Sequence, residues 1–390
     1  MIAIDGSNLV QRVNNGFPGA EAGLLMVSVV SIKLDLLHNV APEAIPEPSV
    51  FHNMETACTL EAALPGIGVV QQGIPDDTPK DFFRRKVYET LSGTVAGNHE
   101  SLLETLRTVY EARERGGGLK WCPADGCNES HVHKQGEYEC GCSRREKLFE
   151  TDILRMHEYF KDVGSSGEAH GRLRDVVEAL TLLNILRFFA EKEPAYLADC
   201  AFVLDGPLAM FGSIASILPS IRDEYLRLNE KARSANNGKD IVVFGIEKTG
   251  RFFQHWEEID WSDEKGPRSR FPNKTVIALD NDYICRNIEI SGGRGKPYGT
   301  ETYYGRKVFY KTNKGEHVVL NTAMLNKASG DFRRNDLNCY PRLGDILDVM
   351  DQLATHLYRD GFMPLTRAHA HAAIPLKRGA DIIKSLLEDD

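Results

Sequence analysis

The amino-acid sequence predicts an α/β fold, in which a mixed sheet is flanked by helices. Short, β-branched apolar segments alternate along the chain with longer segments of helical periodicity, which is the pattern of strands connected through helices. Two of the apolar segments end in an Asp-Gly pair, at Asp5 and Asp205. A region with four clustered cysteines interrupts the pattern. We therefore expect an α/β core that carries a helical, cysteine-rich insertion.

Strands are expected where short apolar runs meet turn residues. The opening MIAIDGSN is one such run, and Gly23 to Leu36 fits a central strand. A helix is expected at Glu55 to Leu64, with short strands on either side at Val50 to His52 and Gly68 to Gln72. Later strands are expected at Cys200 to Leu204, Ile241 to Ile246, Tyr303 to Lys311 and His317 to Asn321, the last two spaced as a hairpin.

Helical periodicity occupies most of the remaining chain, apart from a turn-rich region at 260–300. The expected helices are Pro79 to Arg115, Arg144 to Lys161, Arg172 to Glu191, Pro219 to Ala235, Leu343 to Arg359 and Asp381 to Leu387. We divide the chain into an N-terminal part of the core at 1–78 and a helical insertion with the cysteine cluster at 79–165. Residues 166–390 form the rest of the core, including a basic hairpin at 294–321 and the C-terminal helices.

Length and composition indicate a globular protein. The chain has 390 residues, of which 42% are hydrophobic and 26% are charged. The sequence shows neither the roughly 20 consecutive apolar residues of a membrane span nor a secretory signal, so we expect a cytoplasmic protein. The net charge of -9 argues against a protein that binds nucleic acid over its whole surface.

Asp5 and Asp205 are the best candidates for metal ligands. Mg²⁺ and Mn²⁺ prefer oxygen ligands, and a sheet holds carboxylates at its strand ends at fixed separations. Because both aspartates close apolar strands, both carboxylates could emerge at one edge of the sheet. The alternative is that each aspartate only begins an Asp-Gly turn.

Further side chains could complete such a site, and each has a plainer interpretation. Glu178 lies near the apolar face of its helix and either faces a metal or pairs with Arg174 one turn earlier. Lys248 ends the strand IVVFGIEK and could reach a phosphate or simply be solvated. His369 and His371 could bind metal or transfer a proton. Because residues at i and i+2 do not share a helical face, at most one of the two is expected in the site.

The ordered combination of these motifs resembles the NurA nuclease family. The matching segments are IDGS at 4–7, the helix with Glu178, LDGPL at 204–208, GIEK at 245–248 and PLTRAHAHAAI at 364–374. Order and rough spacing agree over most of the chain, with an apparent insertion in the middle. The sequence departs from the family at Gly361, eight residues before His369, where members often carry a tyrosine.

The resemblance implies an RNase H-like fold and a DNA nuclease that depends on Mn²⁺ or Mg²⁺. It implies Asp5, Glu178 and Asp205 as metal ligands, and its Ala-His-x-x-Ala pattern favours His369 over His371 for the catalytic site. It also implies a homodimer that works with a HerA-type hexameric ATPase, which would translocate DNA into the nuclease. Such pairs resemble systems for DNA-end processing or, in bacteria, defence against phage.

The clustered cysteines suggest a structural zinc site. They are Cys122, Cys127, Cys140 and Cys142. In a reducing compartment such clustering favours metal ligation over disulfides, and Zn²⁺ prefers four tetrahedral soft ligands. His131 or His133 could replace one cysteine. The spacings differ from the common CxxC pattern, so free thiols and a redox role remain as alternatives.

The expected hairpin is the best intrinsic candidate for contact with DNA. Its basic residues are Arg294, Lys296, Arg306, Lys307, Lys311 and Lys314, interleaved with Tyr298, Tyr303, Tyr304 and Tyr310. Basic and aromatic side chains together can follow a phosphate backbone and stack on bases. The alternative is a solvated edge hairpin whose lysines protect it from aggregation.

Two other functions compete with a nuclease. An actin-like or sugar-kinase-like ATPase would also place Asp-Gly turns near phosphate and metal. It would need glycine-rich phosphate loops, however, and IDGSN and LDGPL each contain one glycine. The second rival is a catalytically silent, zinc-stabilised adaptor of a DNA-translocase complex. Retention of the acidic residues argues against such a decayed core.

Overall fold

A computed structural model of the protein describes residues 1–13, 17–34, 55–95, 100–111, 120–131, 133–262, 268–289, 295–354, 369 and 372–373. Within these residues the chain forms a mixed α/β fold around an eight-stranded sheet. The strand expected at Val50 to His52 and the helix expected at Asp381 to Leu387 lie outside the described residues, as do Arg294 and His371.

Twelve strands are present in the described part of the chain. They are β1 (Ile2–Arg12), β2 (Glu21–Ile32), β3 (Glu55–Pro65), β4 (Glu137–Glu139), β5 (Lys147–Phe149), β6 (Ala201–Asp205), β7 (Val242–Glu247), β8 (Trp261–Ser262), β9 (Arg268–Ser269), β10 (Val276–Ala278), β11 (Gly305–Lys311) and β12 (His317–Ala323). The main sheet has the order β10-β11-β12-β7-β6-β1-β2-β3. Strands β1, β6 and β7 are parallel, and their other neighbours are antiparallel. The order β3-β2-β1-β6-β7 places two antiparallel strands beside three parallel ones, which is the mixed sheet that the sequence predicts.

The helices of the described residues cover both faces of this sheet. They are α1 (Pro79–Leu91), α2 (Leu102–Glu111), α3 (Gly167–Lys192), α4 (Leu218–Ala235), α5 (Arg251–Asp260), α6 (Asn281–Asn287), α7 (Lys327–Gly330) and α8 (Leu343–Leu353). Helix α1 begins where Thr78 Oγ1 accepts a hydrogen bond from the Asp81 amide at 3.1 Å, followed by a proline in the first turn. None of the described helices combines the length and apolarity that a bilayer span requires.

The first residues of strand β1, up to Asp5, are buried on both faces of the sheet. Ile2 and Ile4 face a core formed with helices α1 to α4, while Ala3 faces a second core that includes residues of α8. Successive residues of a strand point to opposite faces, so a strand covered on both sides needs apolar residues throughout. The opening sequence MIAI meets this requirement up to Asp5, where the polar part of the strand begins.

Several expected elements are confirmed, and three are wrong. In addition, the helix expected at Pro79 to Arg115 is divided into α1 and α2, which end and begin at Leu91 and Leu102. The long helix α3, the parallel strands β6 and β7, and the β11–β12 hairpin lie where the sequence predicts them. Residues Glu55–Pro65, expected as a helix, form strand β3, because pairing with β2 at eleven successive positions outweighs helix propensity. Gly68 to Gln72 form turns rather than a strand.

The third error concerns the segment Arg144 to Lys161, which the sequence predicts to be helical. It contains strand β5 and two short 3₁₀ turns, Glu150–Leu154 and Met156–Glu158. The Asp152 carboxylate accepts a hydrogen bond from the Phe149 amide at 2.8 Å and also binds the buried Arg84. These side-chain bonds fix a turn where helical periodicity alone favours a helix.

Candidate active site and cysteine cluster

The adjacent parallel strands β1, β6 and β7 place Asp5, Asp205 and Lys248 in one region of the sheet. Ile4 of β1 lies opposite Leu204 of β6, so the next residues, Asp5 and Asp205, occupy equivalent positions on adjacent strands. Adjacent strands lie about 4.8 Å apart. Lys248 directly follows β7, and its Nζ lies 2.9 Å from Asp205 Oδ2.

Glu178 reaches the same region from helix α3. Its side chain is buried, accepts a hydrogen bond from the Gly6 amide and has Arg174 Nε at 3.8 Å. Glu178 therefore both faces the site and retains the ion pair that the sequence offered as the alternative.

Gly6 makes this approach possible. A Cβ at position 6 would lie only 2.4 Å from Glu178 Oε1 and 2.9 Å from Arg174 Cγ. The glycine thus leaves the space in which the glutamate contacts the backbone beside Asp5. From the sequence, Gly6 is only a turn residue, because the packing of α3 on β1 is a long-range contact.

His369, which is distant from the other site residues in the sequence, contacts Asp5. Its Nδ1 lies 2.9 Å from Asp5 Oδ2, and its side chain remains 62% exposed. The structure thus brings together all five residues that the sequence singled out: Asp5, Glu178, Asp205, Lys248 and His369.

Burial makes the ionised form of two carboxylates of this group costly. Burial, followed by the negative charge of Asp205, raises the pKa of Asp5 to about 6, while His369 and Lys248 act in the opposite direction. Burial also raises the pKa of Glu178 well above its usual value. A divalent cation would relieve this cost of keeping the carboxylates ionised, and carboxylate oxygens are ligands that Mg²⁺ and Mn²⁺ prefer. The residues therefore fit such an ion.

The predicted cysteine cluster is assembled in space. The Sγ atoms of its four members, Cys122, Cys127, Cys140 and Cys142, all lie within 4.8 Å of one another. This arrangement is consistent with a structural zinc site. His131 contacts the cluster, since its Nε2 lies 3.4 Å from Cys140 Sγ. His133 instead places Nε2 2.9 Å from Glu150 Oε1.

The basic hairpin does not present the surface that the sequence suggests. Arg306, Lys307 and Lys311 are 4%, 7% and 3% exposed, so the expectation that these three side chains contact nucleic acid does not fit their placement. Lys307 Nζ lies 2.8 Å from Glu247, and Lys311 Nζ lies 2.6 Å from Asp260.

The alternative of an exposed edge hairpin is also wrong, because β11 is paired on both sides, with β10 and β12. Alternate residues of a strand point to the same face of the sheet, so residues 307, 309 and 311 of β11 share one face. On that face Phe309 packs against α5. Lys296 is exposed and lies 2.5 Å from Glu301.

Comparison with known proteins gives a distant similarity. No protein-family model and no curated protein matches the sequence. Among solved structures, the crystal structure of the NurA nuclease from Sulfolobus solfataricus is similar over 100% of this chain and 84% of that chain, at 10% sequence identity and a TM-score of 0.31. At these values the similarity is one of fold and is distant.

Proposed function

We propose that this protein is a divalent-metal-dependent deoxyribonuclease of the NurA type. The observation that carries the proposal is the convergence of Asp5 and Asp205 from adjacent parallel strands with Glu178 from α3. Asp5, Glu178 and Asp205 would hold Mg²⁺ or Mn²⁺. When bound, such an ion polarises the scissile phosphate and lowers the pKa of water.

Lys248 supplies positive charge at the edge of this acidic group. Its Nζ lies 2.9 Å from Asp205 Oδ2 and keeps part of its surface in solvent. An ammonium group in this position binds a nonbridging phosphate oxygen and stabilises the charge that develops there during hydrolysis. The lysine thereby offsets the repulsion between the carboxylates and the phosphodiester.

His369 supplies a group that can move a proton. Its Nδ1 faces Asp5 Oδ2, so the exposed side chain is oriented by that hydrogen bond and leaves Nε2 available to substrate. A histidine side chain can act as a general acid and give a proton to the leaving oxygen through Nε2. Because Asp5 is buried and His369 is exposed, we infer that DNA approaches from the histidine side.

The test is cleavage of linear and circular DNA by the purified protein, with Mn²⁺ or Mg²⁺ and with a chelator. We expect cleavage that requires the metal and that falls at least about 10²-fold in Asp205→Asn, because one oxygen ligand loses its charge. The matched control is Asp282→Asn, whose carboxylate is 77% exposed on α6. Cleavage without metal, or equal cleavage by Asp205→Asn and the control, would overturn the proposal.

We further propose that cleavage is coupled to a HerA-type hexameric ATPase, with the nuclease as a homodimer. The support is electrostatic: the net charge is -9, and three basic residues of the hairpin are buried in ion pairs or hydrogen bonds. A translocating partner would supply the affinity for DNA that such a surface lacks. The pair would act in DNA-end processing or in defence against phage. Addition of a HerA-type ATPase should raise the cleavage rate strongly, and an unchanged rate would remove this part of the proposal.

A further inference from the structure

The four-cysteine cluster is separate from the acidic residues, and its geometry matches a metal site. In a tetrahedral zinc site with Zn–S bonds of about 2.3 Å, neighbouring sulfur atoms lie about 3.8 Å apart. The Sγ atoms of Cys127 and Cys140 lie 3.7 Å apart, and all six sulfur–sulfur distances of the cluster are within 4.8 Å. The four sulfur atoms therefore lie about as close together as the ligands of one Zn²⁺ ion must.

Two tight turns deliver the sulfur atoms in pairs. Cys122 and Cys127 flank the first, which closes through a 3.1 Å hydrogen bond from the Cys127 amide to Ala124 O and has Gly126 at a φ of 75°. The second joins β4 to β5, where the Cys140 amide donates to Glu146 O at 2.8 Å. Glycine suits the left-handed conformation of the first turn. Each turn presents two sulfur atoms to the other.

Backbone amides surround the sulfur atoms with hydrogen-bond donors. The backbone amides of Ala124, Cys142 and Glu146 approach the sulfur atoms of Cys122, Cys140 and Cys142, respectively. Donors of this kind stabilise thiolates and orient metal ligands. His131 packs against Trp121 with ring centroids 5.3 Å apart and can add an Nε2–H donor to Cys140.

We propose that Cys122, Cys127, Cys140 and Cys142 together bind one Zn²⁺ ion in a closed, structural site. Four thiolates fill the tetrahedral shell, which leaves no position for water or substrate. The role is therefore in folding rather than in hydrolysis. Thiolate ligands also separate this site from the carboxylates, whose oxygen atoms suit Mg²⁺ or Mn²⁺.

The ion would hold a small module that is also joined to the helices by apolar packing, through Trp121 and Leu148, and by ion pairs. Strands β4 and β5 form an isolated two-stranded sheet, which is marginal on its own. Arg107 of α2 binds both oxygens of Glu150 at 2.6 and 2.8 Å. Helix α2 in turn contacts α3 through a 2.9 Å hydrogen bond from Asn184 to Thr105. Loss of the ion should therefore loosen the module next to the helix that carries Glu178.

The test is the metal content of the full-length protein, purified without added metal and measured by mass spectrometry. We expect about one zinc per chain, and close to none in the double variant Cys127→Ser with Cys142→Ser. The control is Cys285→Ser, since Cys285 lies on α6 outside the cluster. Zinc at one per chain in the cysteine double variant, or none in the wild type, would overturn the proposal.

A second measurement does not depend on the folding of a variant. The wild-type protein is stripped of zinc under reducing conditions and titrated with Co²⁺. Four thiolate ligands predict sulfur-to-cobalt charge-transfer absorption and intense visible bands that saturate at about one Co²⁺ per chain, both of which zinc then abolishes. Absence of these bands contradicts the proposal. Neither measurement uses DNA cleavage, so failure of the zinc site and failure of the nuclease proposal are distinguishable.

Discussion

Asp5 and His369 lie 364 positions apart in the sequence and are joined by a 2.9 Å hydrogen bond between Oδ2 and Nδ1. The first strand and the C-terminal segment thus meet at the same carboxylate. Ala372, three residues after the histidine, is fully buried. The contact places an exposed, titratable ring beside a buried acid whose pKa is raised to about 6 by burial and by Asp205.

Substitution of His369 should separate activity from stability. We expect His369→Ala to lower the DNA cleavage rate roughly 10²- to 10³-fold, because a group that moves a proton is lost. The melting temperature should change little, since the side chain is 62% exposed. His369→Asn places an amide donor near the position of Nδ1 without a titratable ring, and should not restore the rate. Wild-type cleavage by His369→Ala would contradict a role in the reaction.

Gly6→Ala should impair activity through Glu178. The added Cβ would meet Glu178 Oε1 at 2.4 Å and the Cγ atoms of Glu178 and Arg174 at 2.9 Å, so both side chains would have to shift. A displacement of about 1 Å in a site residue lowers rates roughly 10²-fold, which is the expected loss of cleavage. The control is Gly171→Ala on α3, where an added Cβ meets no atom within 4 Å. Equal activity of the two variants would show that Glu178 does not need this space.

Lys311→Met should destabilise the protein without weakening DNA binding. Lys311 and Asp260 are both buried, and removal of one partner leaves an uncompensated charge that costs about 3 kcal/mol of unfolding free energy. His317, whose Nε2 lies 2.7 Å from Asp260, limits the loss. The exposed Lys314→Met should change stability by less than about 0.5 kcal/mol. Urea unfolding and a DNA-binding titration measure both quantities. A loss of DNA affinity with unchanged stability would restore the hairpin as a DNA surface.

The buried His157 should make stability fall as the pH falls from about 6.5 to about 4. Burial lowers the pKa of His157 from 6.5 to about 4. Between these pH values the unfolded chain therefore binds a proton at His157 and the folded chain does not. The unfolded state is therefore favoured progressively, by up to about 3 kcal/mol at the lower end. Above about pH 6.5 the residue is neutral in both states.

The difference in unfolding free energy between the wild type and His157→Gln isolates this effect, because the opposite contribution of Asp5 is common to both. We expect the wild type to lose stability relative to the variant below pH 6.5. A difference that is constant between pH 4 and 7 would show that His157 is protonated as readily in the folded protein as in the unfolded chain.

The sequence predicts those parts of the fold that depend on local pattern. Strands β6 and β7 and helix α3 follow from apolar runs and helical periodicity. Residues Glu55–Pro65 show the limit, since alanine, leucine and glutamate favour a helix and only pairing with β2 makes the segment a strand. That pairing joins segments separated in the sequence by residues 33–54, and no local pattern encodes it.

The candidate site shows the same division. Asp5 and Asp205 can be predicted because each ends an apolar strand before glycine, and parallel pairing of β1 and β6 then brings them together. The burial of Lys307 and Lys311 cannot be predicted in this way. A run of basic residues indicates charge, whereas the carboxylates that neutralise it, Glu247 and Asp260, come from other elements.

Binding of Mn²⁺ to the acidic group tests the central claim most directly. Protein whose cysteine cluster is loaded with zinc is titrated with Mn²⁺, and free Mn²⁺ is followed by electron paramagnetic resonance. We expect saturable binding that weakens at least about tenfold in Asp5→Asn and is unchanged in the surface variant Asp282→Asn, because an anionic oxygen ligand is lost only in the first. Wild-type protein that binds no Mn²⁺, or Asp5→Asn that binds it as the wild type does, would contradict the assignment of these carboxylates as a metal centre.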